Sequence, residues 1–392
     1  MIPRVPGRVR AIELPPFDPL NNRAAQLRAV GHHVISLGQA LPFFGPPPSV
    51  LAAARVALDS GEVHLYSTDP GIVSLRTVLA ERLRETLGAD ACAEDLIITA
   101  GANHAFTLAL TTLVDPGDEV LLPAPFFTNH EMTVRALGAT AVEVPSADRE
   151  TFSVRWSDIA PRVTSRTRAV VLCNPSNPTG APLDPQEGGV IVSELARRGI
   201  MVLSDETYMH FVYSGPHWSC ASVPAWRTNV VVVGTFSKSF GMMGWRVGYL
   251  LADAAVCAEA VKIQDAMIIC APVISQMAVE GAVRDSWAYP STFHAELLAR
   301  RQALVSGVNA IPRLHWTPTA GAFFGFVRVE GCADSAALAA ALLEEAHVVT
   351  IPGSAFGRSG EGHLRLSYGS ASVDAVGTAM ERLKWFFAGR ER

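Results

Sequence analysis

Six short aliphatic and β-branched runs constrain this chain more than any other feature. They span residues 96–100, 119–122, 139–144, 168–173, 200–203 and 230–233, and turn-forming residues close each one. Helix-spaced segments such as 102–113 and 187–198 lie between them. A run apolar on both faces reads as a strand buried between two layers, and helical crossovers allow such strands to pair in parallel. The spacing therefore predicts an α/β architecture. In such sheets ligands bind at the carboxyl ends of the strands, so the residues just after each run are the candidates for chemistry.

Those residues are not random polar filler. After 96–100 comes Gly101-Ala102-Asn103-His104, a small-residue turn opening a helix, where free N–H groups suit an anion. His104 reads as a structural or capping histidine rather than a base. After 119–122 come two prolines and Phe126-Phe127, which either pack a rim or present a flat ring to a planar ligand. After 168–173 comes the dense turn block Asn174-Pro-Ser-Asn177-Pro-Thr-Gly180. The run 200–203 delivers Ser204-Asp205-Glu206-Thr207-Tyr208; a carboxylate there needs a structural partner or a cationic ring nitrogen to remain ionised. After 230–233 comes GTFSKSFGMMGWR, with Lys238 among Thr235, Ser237 and Ser239, and Arg246 eight positions on. Lys238 is either a solvated loop lysine or an amine in a partly dry site. In the second case the nearby cation lowers its pKa and makes it a nucleophile, with Thr235, Ser237 and Arg246 binding a phosphate.

At 392 residues, 49% hydrophobic and 18% charged, the chain can bury a large core and accommodates two domains. A net charge of -5 disfavours a nucleic-acid or anionic-membrane surface. The first residues carry no signal-peptide core, no apolar run spans a membrane, and the six scattered cysteines suit a reduced interior, so a cytoplasmic protein without a metal site is expected.

The chain ends read differently. Pro15, Pro16 and Pro19 favour an extended arm, with Asn21 or Asn22 capping a helix through Arg28. A short strand over 34–37 precedes the rigid loop 38–48, where Gly38 permits close backbone approach. Tyr66, ahead of a turn, is either half-buried packing or a ligand contact. Near the other end Arg365 sits inside the apolar strand 363–367, an expensive place for an unpaired cation; it bridges carboxylates of the protein or forks onto a substrate carboxylate.

Pyridoxal phosphate accounts for these stations together, since it needs a lysine, an acid for its ring nitrogen, donors for its phenolate oxygen, a phosphate cup and a stacking ring. The sequence resembles the fold-type I pyridoxal-phosphate enzymes of the class I/II aminotransferase family, near the aspartate and kynurenine/glutamine branches, and the motifs match in order over roughly 20–383. The resemblance implies a mostly parallel seven-stranded sheet flanked by helices in a large domain, 49–287. It also implies a smaller α+β domain built from both chain ends, 1–48 and 288–392. SKSFGMMGWR makes Lys238 the Schiff-base lysine and Arg246 a phosphate ligand alongside Thr235, Ser237 and the Gly101-Ala102-Asn103 turn. Asn177 and Tyr208 would reach the phenolate oxygen, Asp205 the pyridinium and Phe127 the ring face. Gly38, Asn177 and Arg365 would take the substrate carboxylate. Tyr66 would reach the partner's cofactor, which implies a homodimer.

The implied activity is ping-pong transfer of an amino group between an L-amino acid and a 2-oxo acid, with Lys238 as the proton carrier. The same scaffold hosts elimination, replacement, cyclisation and oxidation as alternatives. Ala40 and Phe43-Phe44-Gly45 depart from the family pattern where the substrate side chain sits. Together with Phe126 and Phe127, the loop 41–45 suggests an apolar lining that favours neutral or aromatic amino acids.

Overall fold

The computed structural model describes residues 4–389. The outermost three residues at each end of the expected domain limits lie outside the described residues. Seven strands form the central sheet: β1 Leu96–Thr99, β2 Glu119–Ala124, β3 Thr140–Pro145, β4 Thr167–Cys173, β5 Met201–Asp205, β6 Val230–Thr235 and β7 Gly248–Leu251. Their spatial order is β1-β7-β6-β5-β4-β2-β3. All pairings are parallel except the two made by β7, which runs antiparallel between β1 and β6. The expected mostly parallel seven-stranded sheet is thus observed. The central strands are buried on both faces, which is why they read as unbroken apolar runs rather than alternating ones.

The reversed strand matters for function. Only twelve residues separate β6 from β7, too few for a helical crossover, so the chain turns back through the short helix Phe236–Ser239. Register pairs Thr99 and Thr235 with the same residue, Gly248. Because β7 is reversed, its entry point and Arg246 lie at the carboxyl ends of its neighbours. The contact is tight: a Cβ on Gly248 would meet the Gly234 carbonyl at 2.6 Å and the Gly101 backbone at 3.0 Å.

A second, four-stranded sheet is antiparallel: β8 Leu314–His315, β9 Phe324–Val329, β10 Ile351–Pro352 and β11 His363–Ser367, in the order β10-β11-β9-β8. Ile35–Ser36 pairs in parallel with Val348–Val349 beside it. Helices His294–Asn309, Ser335–Ala346 and Val373–Ala388 cover this sheet around a core that includes Leu304, Leu342, Leu364 and Leu383.

Two boundaries differ from expectation. The first long helix begins at Phe17, not at Asn21 or Asn22, and carries Pro19 in its first turn. A first-turn N–H has no intrahelical acceptor, so proline costs little there. The buried stripe Leu20, Ala24 and Leu27 supplies the packing that holds the helix in place. The loop expected over 38–48 ends one residue early, because the next helix, Pro48–Ser60, begins at Pro48, again with proline in its first turn.

Candidate active site

The carboxyl ends of β4, β5 and β6 lie side by side. Register places Cys173 opposite Asp205, and Asp205 opposite Val233, two residues before Thr235. They border an open cleft with about 1080 Å³ of empty space, lined also by Ala102, Asn103, Phe127, Asn177, Tyr208, Ser237, Lys238, Arg246 and Arg365. Most residues singled out in the sequence therefore converge, although they are scattered from Ala102 to Arg365 along the chain. Gly38 and Gly101 stand just behind the cleft wall. Tyr66 does not join: it is 78% exposed on the surface of the single chain.

Lys238 lies in the short helix that Thr235 caps by accepting the Ser237 N–H at 3.1 Å. Its Nζ donates to the Ala40 carbonyl at 2.7 Å. Burial foremost, then the charges of Arg365 and Arg246, lowers its pKa to about 8. The solvated-loop reading of this lysine is thereby set aside.

Asp205 is buried, and burial alone would raise its pKa. The hydrogen bond and charge of His130, with the Thr207 N–H, outweigh that and hold it below the usual carboxylate value. His130 Nε2 lies 3.0 Å from Oδ2, and the Thr207 N–H donates to Oδ1 at 3.0 Å. The carboxylate is thus kept ionised at a strand end.

Arg365 projects from β11 and is 3% exposed. Its Nη1 donates to Asn177 Oδ1 at 2.9 Å and its Nη2 to the Gly38 carbonyl at 2.6 Å. Its Nε has no partner, and the aromatic rings of Phe324 and Phe356 lie 5.1 and 5.0 Å from the guanidinium carbon. Burial lowers its pKa to about 10, which leaves it charged at neutral pH. No protein carboxylate pairs with it among the described residues, so the alternative of a structural carboxylate bridge is not realised.

The third cation is carried by strained backbone. Arg246 has φ +51° and donates to the Met243 carbonyl at 2.7 Å. Gly101 faces it at φ +86°; a Cβ there would lie 2.5 Å from Arg246 Nη2. Only glycine fits both the conformation and the space. The Thr235 and Ser237 hydroxyls, 3.0 Å apart, complete one wall. Cation, hydroxyls and the start of helix Ala102–Leu113 make a cup suited to a phosphate. With a depressed lysine, an ionised carboxylate and an orphaned guanidinium N–H beside it, the donor set fits pyridoxal phosphate.

Some residues escaped the sequence reading. His130 sits between Phe127, in edge contact at 5.4 Å, and Phe106 at 4.4 Å. Its helix, Thr128–Ala136, had not been expected; the i,i+3 spacing from Phe127 is the signal that could have found it. Glu206 is 1% exposed and accepts from Ser204 and Ser219 hydroxyls at 2.8 Å, with His217 Nε2 also at 2.8 Å. It anchors the turn that presents Asp205 and Tyr208, away from the cleft. Phe17 and Asp18, from the segment read as an arm, and Asn21, read as a helix cap, also line the cleft. His104 is structural as expected, accepting the Ala100 N–H at 3.0 Å.

The loop 41–45 corrects the expected lining. Leu41 and Phe127 reach the cleft, but Phe43, Phe44 and Phe126 do not. Phe44 stacks on Phe293 at 4.1 Å, Phe43 meets both edge-on, and Phe126 is buried behind the site. Aromatic contacts with the turn Tyr289–Phe293 draw the two rings away from the cleft.

Fold and site together define a lysine-centred α/β enzyme. The chain belongs to the aminotransferase class I and II family, whose description matches residues 32–383, and it is an amino-group transferase. It is 34% identical to aromatic-amino-acid aminotransferase 2 of Thermococcus litoralis, covering 90% of this chain and 91% of that one. It is 33% identical to an aspartate aminotransferase of Pyrococcus horikoshii, covering 98% and 97%. The solved Thermus thermophilus aspartate aminotransferase with maleate superposes with a TM-score of 0.92 at 29% identity, covering 98% of this chain and all of that one. An aromatic aminotransferase from Pyrococcus horikoshii superposes with a TM-score of 0.88 at 32% identity, covering 95% and 99%. The family is pyridoxal-phosphate-dependent, and no helix among the described residues is long and apolar enough to cross a membrane.

Proposed function

We propose that this chain binds pyridoxal phosphate at Lys238 and transfers the amino group of a neutral or aromatic L-amino acid to a 2-oxo acid. The observation that carries the reading is the convergence of the Lys238 amine, the Asp205 carboxylate and the Arg365 guanidinium on one cleft. When bound, the cofactor supplies an aldehyde that condenses with amines and a cationic ring that withdraws electrons from the substrate α-carbon. Lys238 would hold it. Thr235, Ser237, Arg246 and the 101–103 turn would hold its phosphate. Asp205 would face its ring nitrogen, Asn177 and Tyr208 its phenolate oxygen, and Phe127 its ring face.

Each residue then has a task its environment supports. Asp205, ionised through His130, holds a proton on the atom facing it. Arg365 offers a planar fork with Nε already free, and a substrate carboxylate would displace its bonds to Asn177 Oδ1 and the Gly38 carbonyl. Lys238, its pKa lowered to about 8, gives up its proton far more readily than an ordinary lysine and can take and return the α-proton. Three cations line the cleft and all have roles at the cofactor or the α-carboxylate. No further cation remains in the lining: Phe17, Leu41 and Met243 are apolar, and Asp18, Asn21 and Gln39 offer no positive charge to a second carboxylate, which supports a neutral or aromatic substrate.

The reading includes a homodimer with Tyr66 serving the partner's site; its exposure, with that of Leu65 and Val73, supports a covered surface there. It also includes a large domain over 49–287 and a smaller one from 1–48 and 288–392, supported by separate cores around the two sheets. Reconstituted protein mixed with a panel of amino acids should release 2-oxo acids and convert the cofactor's visible absorbance to that of its amine form. Lys238→Ala should lose both the visible band of the bound aldehyde and turnover. Undiminished turnover by that variant, or release of ammonia in place of amino transfer, overturns the reading.

A further inference from the structure

We infer that Arg300, which the cleft does not contain, is a positioning residue for the carboxylate dock, acting through the loop 38–45. The inference rests on Arg365 receiving the substrate carboxylate. Arg300 lies on helix His294–Asn309 and is 5% exposed, an unusual place for a cation without a buried acid. Its acid is Glu296, one turn earlier, at 2.9 Å with its side chain 47% exposed. Its other contacts are directed at the loop. The guanidinium carbon stands 3.8 Å from the centre of the Phe43 ring, and Nη1 donates to the Gly369 carbonyl at 3.2 Å.

Both contacts converge on backbone that serves the site. Gly369 closes on the loop: a Cβ there would lie 2.4 Å from the Leu41 carbonyl. It follows β11, the strand that carries Arg365, by two residues. On the other side, a Cβ on Gly241, three residues beyond Lys238, would lie 2.5 Å from the Phe44 carbonyl. The loop is therefore clamped between the lysine turn and the arginine strand. Within it, the Gly38 carbonyl accepts from Arg365 and the Ala40 carbonyl from Lys238. These two carbonyls lie two residues apart in a loop with no regular hydrogen-bond ladder to set its height. Arg300 sets it, pressing on Phe43 and tying Gly369. A displacement of about 1 Å at a positioning contact costs a site as much as a lost contact.

The test uses holoenzyme and a readout independent of turnover: the dissociation constant of an unreactive monocarboxylate, 4-methylpentanoate, which has neither an amino nor an oxo group to transfer, with the aldehyde form, by titration of its visible absorbance. Arg365→Met serves as the reference for the dock itself. Arg300→Met and Phe43→Leu are expected to weaken binding about tenfold. They should raise the KM of the amino donor in parallel with little change in kcat. Arg300→Lys restores little, because an ammonium lacks the planar fork. Glu296→Ala leaves affinity unchanged. If Arg365→Met binds like the wild type, the dock reading is wrong and this inference goes with it. If Arg365→Met weakens binding but Arg300→Met and Arg300→Lys do not, whatever their thermal stability, Arg300 is only a buried structural cation and the inference alone is overturned.

Discussion

At the scale of single residues, the site is made by opposing shifts in charge stability. Burial works against the charged forms of Lys238, Asp205 and Arg365 alike, and the neighbours decide the outcome. Asp205 has His130 and stays ionised; Lys238 has two cations and is weakened as a base. That carries a cost for the apoprotein. The folded pKa of Lys238, about 8, lies below its ordinary 10.5, so between these values the unfolded chain binds more protons than the folded one. Stability contributed at this position therefore rises as pH increases from about 8 to about 10.5, and below pH 8 the whole penalty is present. The lysine borders an open cleft, which reduces the penalty to roughly 2 kcal/mol. Apoprotein Lys238→Met should unfold at a higher Tm than wild type at about pH 7, and the gap should close as pH approaches about 10. An equal gap at both pH values would show that the gain comes from packing.

At the scale of elements, turns matter more than the strands and helices they join. The strand runs are interchangeable apolar stretches, while the turn after each one is specific. Gly241 shows how little freedom such a turn has, with φ +63° and the Phe44–Gly45 backbone within 3 Å of any added Cβ. Gly241→Ala should lose about 1–3 kcal/mol of stability, read as a lower urea midpoint. Because the turn also carries Lys238, the variant should in addition retain less cofactor after dialysis than wild type. Normal retention with reduced stability would separate the turn's structural role from its part in the site. The reversed strand β7 is a second element-level device: inserted antiparallel, it returns Arg246 to the end of the sheet where Thr235 and Gly101 already stand.

At the scale of the whole molecule, one chain supplies nearly every candidate group but leaves Tyr66 on its surface. If Tyr66 completes the partner's site, two defective chains can restore each other. Co-expressed Lys238→Ala and Tyr66→Ala chains would form hybrids in which one site has both an intact lysine and an intact tyrosine. Such mixtures should show up to about half of wild-type activity per hybrid, well above either variant alone, since one of two sites is whole. Mixtures no more active than the sum of the separate variants would place Tyr66 outside the partner's site.

The α/β class, the strand ends that border the cleft and most of the residues that line it were legible in the amino-acid sequence. Strand runs and turn residues are local properties, and the ordered motifs from Gly101 to Arg365 can be read without knowing how the chain closes. The Asp205–His130 pair, the buried anchoring of Glu206 and the route of Phe43 and Phe44 into the aromatic cluster with Phe293 were not legible there. Each depends on which of several surfaces a side chain meets, and packing between separate segments sets that. His130 lies 75 residues from Asp205, and Phe293 is farther still from Phe43. Alternation and spacing record whether a residue turns inward. The tertiary structure decides what it meets there, because burial energy is indifferent to the partner while hydrogen bonds and charge interactions depend on it.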